Sequence, residues 1–97
     1  MRIIIAGGGS VGSLIATQLI AENKDVVLIE KNPVVAKRVQ NQLDCLVIEG
    51  EVNRLDVLRQ AGMDGTDCFI CVTDSDEVNM IACGLVTAEF QVPFKIA

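Results

Sequence analysis

Residues 3–12 read Ile-Ile-Ile-Ala-Gly-Gly-Gly-Ser-Val-Gly, an apolar run followed directly by a glycine-rich turn. An unbroken apolar run is typical of a strand buried on both faces of a parallel sheet. The turn fits the pattern G-x-G-x-x-G with Gly7, Gly9 and Gly12, and apolar residues at helical spacing follow it. A second apolar run then ends in Glu30, eighteen positions after the third glycine. This order predicts a dinucleotide-binding βαβ unit, because it runs from a strand through a glycine turn and a helix to a second strand that ends in an acid.

Each of these three glycines has an expected structural role. Gly7 permits the tight turn that leaves the strand, Gly9 lets a pyrophosphate approach the backbone, and Gly12 lets the helix lie against the strand. The free N–H groups at the helix start, in residues 10–13, and the positive end of the helix dipole are expected to hold the phosphate charge.

Glu30 is expected to accept hydrogen bonds from the two hydroxyls of a ribose. Its charge would repel a 2′-phosphate, which favours NAD-type or adenosine ligands over NADP. Lys31 stands next to it and weakens this preference, because its ammonium group could turn toward the ligand. The alternative is a glycine-rich turn that only packs and leaves Glu30 solvated, although packing alone does not require three glycines at this spacing.

Length and composition indicate one globular domain spanning residues 1–97. The chain is 51% hydrophobic, with mean hydropathy +0.44 and net charge −5. No apolar run approaches the roughly 20 residues of a membrane span, and the start reads as a strand instead of a signal peptide, so we expect a cytoplasmic protein. The chain has no basic run, no Trp and no Tyr, which argues against a nucleic-acid partner.

The four cysteines are Cys45, Cys68, Cys71 and Cys83, and the middle two form a C-x-x-C pair. That pair falls on a predicted buried strand, where residues three apart point to opposite faces. Redox and metal pairs usually lie on turns or helix starts, and the chain has no His and no second pair. We therefore interpret the cysteines as buried structural thiols and expect no metal site, with a thiol redox sensor as the minor alternative.

The pattern along the chain alternates as β-α-β-α-β-α-β-α-β. Apolar runs predict strands at 3–6, 26–29, 46–48, 68–72 and 94–97. Right-handed crossovers then predict an α/β fold, a three-layer Rossmann-like doubly wound parallel sheet of order 3-2-1-4-5 that is truncated at the fifth strand. We expect this domain to be a fragment of a longer chain, with an isolated nucleotide-binding module as the alternative. The incomplete sheet edge favours self-association.

Turn and capping residues predict where the helices begin and end. Asn32 is expected to cap the second helix, and Asn53 the third, which Gly62 would end. Ser75 or Thr73 is expected to cap the fourth helix.

Five motifs together resemble the N-terminal RCK/KTN (TrkA-N) domain family of Trk potassium-uptake regulators. They are Ile-Ile-Ala-Gly-Gly-Gly-Ser-Val-Gly at 4–12, Val-Leu-Ile-Glu-Lys-Asn at 27–32, Val-Ile-Glu-Gly-Glu at 47–51, Val-Leu-Arg-Gln-Ala-Gly-Met at 57–63 and Cys-Val-Thr-Asp-Ser-Asp-Glu-Val-Asn-Met at 71–80. The resemblance covers the whole chain.

This resemblance implies a cytoplasmic, non-catalytic domain that binds NAD or NADH, or alternatively ATP or ADP. It further implies homo-oligomers, dimers that build to rings, at the inner face of a membrane potassium transporter. Ligand binding would change the shape of the assembly and gate the transporter, which requires different affinities for two arrangements. The competing interpretation is the cofactor-binding half of an NAD-dependent oxidoreductase, for which the chain offers no His or Tyr to transfer a proton.

The resemblance also implies a set of cofactor-binding residues and no catalytic ones. The implied residues are Gly7, Gly9, Ser10, Val11, Gly12, Glu30, Lys31, Glu51, Thr73 and Asp74. Ser10 and Val11 would present N–H groups to phosphates, Lys31 would lie beside the ribose, and Glu51 near the adenine. Thr73 and Asp74 would line the other half of the cleft. Ser10 departs from the longer polar or basic side chain of many members. Asn79 belongs to the last motif, where helix capping or subunit contact would explain it as well as ligand binding.

Overall fold

The computed structural model describes residues 1–97 as a five-stranded parallel sheet between two layers of helices. The elements in chain order are β1 (Arg2–Ala6), α1 (Ser10–Ala21), β2 (Asp25–Glu30), α2 (Pro33–Gln42), β3 (Leu46–Glu49), α3 (Leu55–Gln60), β4 (Cys68–Cys71), α4 (Asp76–Glu89) and β5 (Phe94–Ile96). The strand order is β3-β2-β1-β4-β5, which confirms the predicted doubly wound, Rossmann-like fold. None of the helices combines the length and apolar character that a bilayer crossing needs.

The central strand β1 divides the interior into two apolar cores. Ile3 and Ile5 belong to the core on the side of α1 and α2, whereas Ile4 and Ala6 belong to the core on the side of α3 and α4. Strand β1 pairs with β2 on one edge and with β4 on the other. Because both faces and both edges are covered, every residue from 3 to 6 is buried, which explains the unbroken apolar run.

Three of the four predicted helix ends are confirmed. The Asn32 side chain accepts hydrogen bonds from the first turn of α2, and Ser75 Oγ accepts one from Val78 at the start of α4. Gly62 follows α3 with a φ of 82°, the left-handed conformation that glycine adopts at little cost.

The predicted cap of α3 is wrong by one residue. The helix begins at Leu55 with Arg54 at the capping position, and no side chain caps it. A turn in which the Arg54 N–H donates to the Glu51 carbonyl at 3.2 Å comes first. Asn53 lies within this turn and borders a cleft instead of capping the helix.

The two cysteines of the C-x-x-C pair point to opposite faces of the sheet, as predicted. Cys68 packs into the core beside α1 and α2, and Cys71 into the core beside α3 and α4. Burial raises the pKa of the Cys68 thiol, and it raises that of Cys71 to about 12. Both therefore stay protonated at neutral pH, which fits structural thiols, since redox chemistry and metal binding need the thiolate.

Candidate functional site

A cleft of about 440 Å³ opens at the carboxyl ends of the strands. Its walls come from the segments that follow β1, β2, β3 and β4, and it includes the switch point between β1 and β4, where the strand order reverses. Ligands of doubly wound sheets bind at this position, because the loops diverge there and leave a crevice. The cleft borders nine of the ten predicted site residues, namely Gly7, Gly9, Ser10, Val11, Glu30, Lys31, Glu51, Thr73 and Asp74.

The tenth predicted residue, Gly12, is buried in the first turn of α1 and does not border the cleft. A Cβ atom at this position would collide with the carbonyl oxygen of Gly7. The absence of a side chain therefore lets the helix lie against the turn that leaves β1, the packing role that the spacing predicts.

Gly7 and Gly9 have different reasons to lack a side chain. Gly7 has a φ of 111°, and a Cβ atom there would lie 2.8 Å from the carbonyl oxygen of Val72. At Gly9, by contrast, the φ is −70° and a Cβ atom would meet nothing within 4 Å. The protein itself imposes no packing constraint on Gly9, so the space beside it is open, and a ligand could approach the backbone there.

The first turn of α1 offers unpaired main-chain donors to this space. No side chain caps the helix, and the turn contains no acidic residue. The first hydrogen bond into the helix runs from the Ser13 N–H to the Gly9 carbonyl at 2.9 Å. The N–H groups before Ser13 have no partner within the helix, and they carry the positive end of its dipole, which suits an anionic group.

The Glu30 carboxylate is held at the end of β2 by two short hydrogen bonds. Oε1 accepts from the Gly8 N–H and Oε2 from the Asn32 N–H, each at 2.7 Å. Bonds of this length to a charged acceptor are strong. A carboxylate has about four acceptor positions, so two remain for ribose hydroxyls. Glu30 is half-buried and borders the cleft with its orientation already fixed.

Gly8 has a structural role that the spacing of the glycines does not predict. The G-x-G-x-x-G pattern leaves this position free, yet its N–H fixes Glu30. It is also packed, since a Cβ atom would lie 3.2 Å from both Leu28 and Val39. This role depends on the folded structure, because nothing in the sequence pairs the middle glycine with an acid on the next strand.

The wall beyond β3 contains further residues that sequence reasoning missed. Gly50, Val52 and Asn53 border the cleft together with the predicted Glu51. Their position directly after a strand could have indicated that they border the site, because the carboxyl ends of parallel strands meet at one edge of the sheet. Val35 of α2 adds an apolar surface on the same side.

The charge of the cleft is predominantly negative. Glu30, Glu51 and Asp74 border it, and Lys31 is the only cationic side chain that does. A phosphate in this cleft would therefore depend mainly on main-chain N–H groups and on the α1 dipole, as it does in glycine-rich nucleotide-binding loops.

The far wall of the cleft, after β4, includes Thr73 and Asp74, together with Val78 of α4. Thr73 is held from behind by the buried side chain of Asn79, which does not itself border the cleft. Asn79 therefore neither caps α4, a role that Ser75 performs, nor faces outward for contact with another subunit.

Comparison with known proteins gives a consistent family assignment for residues 3–97, which match the TrkA-N domain. The chain is similar to the Trk system potassium uptake protein TrkA of Vibrio alginolyticus, with 36% identity over all 97 residues. It is 37% identical over the same length to a TrkA homolog of Methanothermobacter thermautotrophicus. The chain spans 21% of the first relative and 44% of the second, so both are considerably longer proteins.

Two solved structures have the same fold. The Kef CTD of Shewanella denitrificans in its AMP-bound form superposes with a TM-score of 0.82 at 22% identity, covering 99% of this chain and 57% of its own. The TrkA-N domain of the inner membrane protein ybaL from Escherichia coli superposes with a TM-score of 0.77 at 17% identity, covering 94% of this chain and 69% of its own. At these identities the likeness concerns the fold.

Proposed function

This chain belongs to the TrkA-N domain family, and from that premise we propose that it is a regulatory nucleotide-binding domain of a potassium-uptake system. The proposed ligand is NAD or NADH, with ATP or ADP as the alternative. One observation carries the proposal: the Glu30 carboxylate is fixed by two main-chain N–H groups at the same cleft as the open first turn of α1.

The proposed binding mode follows the chemistry of the walls. Phosphates rest on the N–H groups of Ser10 and Val11, beside Gly9, where no Cβ obstructs them. The ribose hydroxyls donate to Glu30, whose charge disfavours a 2′-phosphate and hence NADP. The adenine lies between the ends of β2 and β3, close to Glu51. The AMP-bound state of the Kef structure supports an adenine nucleotide as the ligand class.

The regulatory part of the proposal concerns a membrane potassium transporter. Relatives that match the full length of this chain are named potassium uptake proteins, and the chain spans only part of each. We propose that the domain acts in the cytoplasm as a homo-oligomer, on the inner face of the membrane, and that nucleotide binding changes the shape of this assembly. Gating then requires that the nucleotide bind one arrangement more tightly than the other.

We propose a non-catalytic role for the site. The side chains that border the cleft include no His, Tyr or Cys, the groups that most often transfer protons or act as nucleophiles near pH 7. The polar groups present are instead arranged to hold hydroxyls and an anion. An NAD-dependent oxidoreductase would need further groups near the nicotinamide.

A ligand panel tests the proposal directly. Thermal unfolding and titration calorimetry of the chain with NADH, NAD, NADPH, ATP and ADP should show a higher melting temperature with at least one adenine nucleotide, because binding to the folded state stabilises it. NADPH should bind more weakly than NADH. The nucleotide site is refuted if no member of the panel binds, and the Glu30 argument is refuted if NADPH binds more tightly.

Co-purification tests the regulatory role separately from the binding site. The protein expressed with a membrane potassium transporter from the same genome should be recovered with it from solubilised membranes. Nucleotide binding without any such association, together with hydride transfer to a substrate, would instead favour the oxidoreductase interpretation.

A further inference from the structure

Asn79 is one of only two polar residues buried in the protein, the other being Thr66. It lies on the face of α4 that packs against the sheet, together with Ala82 and Val86. A buried amide is costly unless its donors and acceptor find partners, so its position in an otherwise apolar face requires an explanation.

The explanation lies in its hydrogen bonds, most of which go to Thr73. Asn79 Oδ1 accepts from the Thr73 N–H at 3.1 Å and from its hydroxyl at 2.6 Å, and Nδ2 donates to the Thr73 carbonyl at 3.3 Å. The orientation of the amide follows from chemistry, because a main-chain N–H can only donate and must face the oxygen. Oδ1 also accepts from the Cys71 thiol at 3.1 Å.

The Thr73 hydroxyl has one proton and two acceptors within reach. Its contact with Asn79 Oδ1 is 2.6 Å, whereas that with the Ser75 carbonyl is 3.2 Å. The shorter contact is the typical length of a good O–H···O bond, so the proton points to Asn79. The hydroxyl oxygen still accepts from the Ser75 N–H at 3.3 Å.

Beyond the end of β4, the hydrogen bonds to Asn79 hold the far wall in place of the main-chain hydrogen bonds of the sheet. The Val72 N–H still donates to the Ala6 carbonyl of β1 at 2.9 Å, but at Thr73 the chain leaves the sheet. From there the N–H and the carbonyl of Thr73 both bond to the Asn79 side chain. Thr73 and Asp74 border the cleft, whereas Asn79 stands behind them.

We propose that Asn79 is a positioning residue that holds the Thr73–Asp74 wall in place for the second half of a dinucleotide. This inference rests on the proposed nucleotide site. Adenosine and the first phosphate lie over the ends of β1, β2 and β3, whereas a dinucleotide continues across the switch point to β4. Loosening the wall after β4 therefore weakens the binding of a dinucleotide and spares that of a mononucleotide.

The test compares NADH with AMP on the same variants by titration calorimetry. Asn79→Ala should weaken NADH binding about tenfold, as expected for the loss of more than one hydrogen bond, and should change AMP binding by less than about threefold. Asn79→Asp retains oxygens that accept from the Thr73 N–H and hydroxyl, so its NADH affinity should fall between those of Asn79→Ala and the wild type. Met80→Ala is the matched control, since Met80 is adjacent on α4 but 74% exposed.

The ratio of the NADH affinity to the AMP affinity distinguishes a loss of positioning from a general loss of structure. Destabilisation of the whole domain would lower NADH and AMP binding together, and this result, like an unchanged NADH affinity, overturns the inference. If Asn79→Ala does not fold, Thr73→Val gives the same comparison, because it removes the 2.6 Å bond from the Thr73 hydroxyl to Asn79, together with the 3.3 Å bond that this hydroxyl accepts from the Ser75 N–H. A wild-type protein that binds neither AMP nor any nucleotide of the ligand panel would instead refute the proposed nucleotide site.

Discussion

The Gly8 N–H donates to Glu30 Oε1 at 2.7 Å, joining residues that are 22 positions apart in sequence. The bond connects the turn after β1 to the end of β2, so one carboxylate both holds the glycine-rich turn and borders the cleft. Because the other oxygen is bonded to the Asn32 N–H, the carboxylate has little freedom to turn away. A ribose would meet an acceptor that is already in place, which lowers the entropic cost of binding.

Glu30→Ala should weaken adenine-nucleotide binding by about 1–3 kcal/mol, the usual cost of losing hydrogen bonds to a charged group. The measurement is calorimetry with NADH. Glu49→Ala is the matched control, because Glu49 pairs with Glu30 in register on β3 and is exposed but does not border the cleft. Equal affinities for the two variants would contradict a ribose contact at Glu30.

The fold was predictable because its signals are local and redundant. The apolar runs mark the strands, and the right-handed crossover rule turns their sequence into a strand order. The resemblance implied ten site residues, and nine of them border one cleft because the carboxyl ends of parallel strands meet at one edge of the sheet. The role of Gly8 could not be predicted, since it depends on a main-chain bond to a residue on another strand.

The exact start of α3 and the hydrogen-bond partner of Asn79 were harder to predict from the sequence. The sequence misplaces the start of α3 by one residue, because Asn53 has a side chain that commonly caps helices. In the structure Asn53 belongs to the preceding turn and borders the cleft. Asn79 did carry a signal, namely an amide at the spacing of the buried residues Ala82 and Val86. A polar residue in such a face indicates a specific partner, but the sequence does not identify it as Thr73.

Gly9→Ala and Gly12→Ala should separate ligand binding from folding. At Gly9 the φ is −70° and the space is open, so alanine should lower the free energy of unfolding by no more than about 1 kcal/mol, the cost of a poorer helix cap. Its Cβ atom should nevertheless obstruct a phosphate and reduce nucleotide affinity. At Gly12 the Cβ atom meets the Gly7 carbonyl oxygen, and the expected destabilisation is about 3 kcal/mol.

Urea unfolding and NADH titration of these two variants give the comparison. The expected pattern is a stable Gly9 variant that binds poorly and an unstable Gly12 variant. A Gly9 variant that binds NADH as the wild type does would mean that no phosphate approaches the backbone there.

Asn32→Ala should lower the free energy of unfolding by about 1 kcal/mol, the typical value of a helix N-cap. Asn32 Oδ1 accepts from the Val34 N–H at 2.9 Å and the Val35 N–H at 3.3 Å, and both donors would lose their partner. Urea unfolding measures the change. Asn41→Ala, on the exposed side of the same helix, should leave stability unchanged or raise it slightly. Equal effects of the two substitutions would show that the cap contributes nothing.

Alkaline pH should destabilise the protein partly through Cys71. Burial raises the pKa of this thiol from 9.0 to about 12, so the unfolded chain loses the proton at a lower pH than the folded chain does. The contribution of Cys71 to the free energy of unfolding is therefore complete below pH 9 and is lost as the pH rises from 9 toward 12. Cys71→Ser keeps a donor for Asn79 Oδ1 and does not titrate in this range, so its stability should fall less steeply. Urea unfolding at intervals across this range measures both slopes, and equal slopes for the wild type and Cys71→Ser would show that the buried thiol does not contribute.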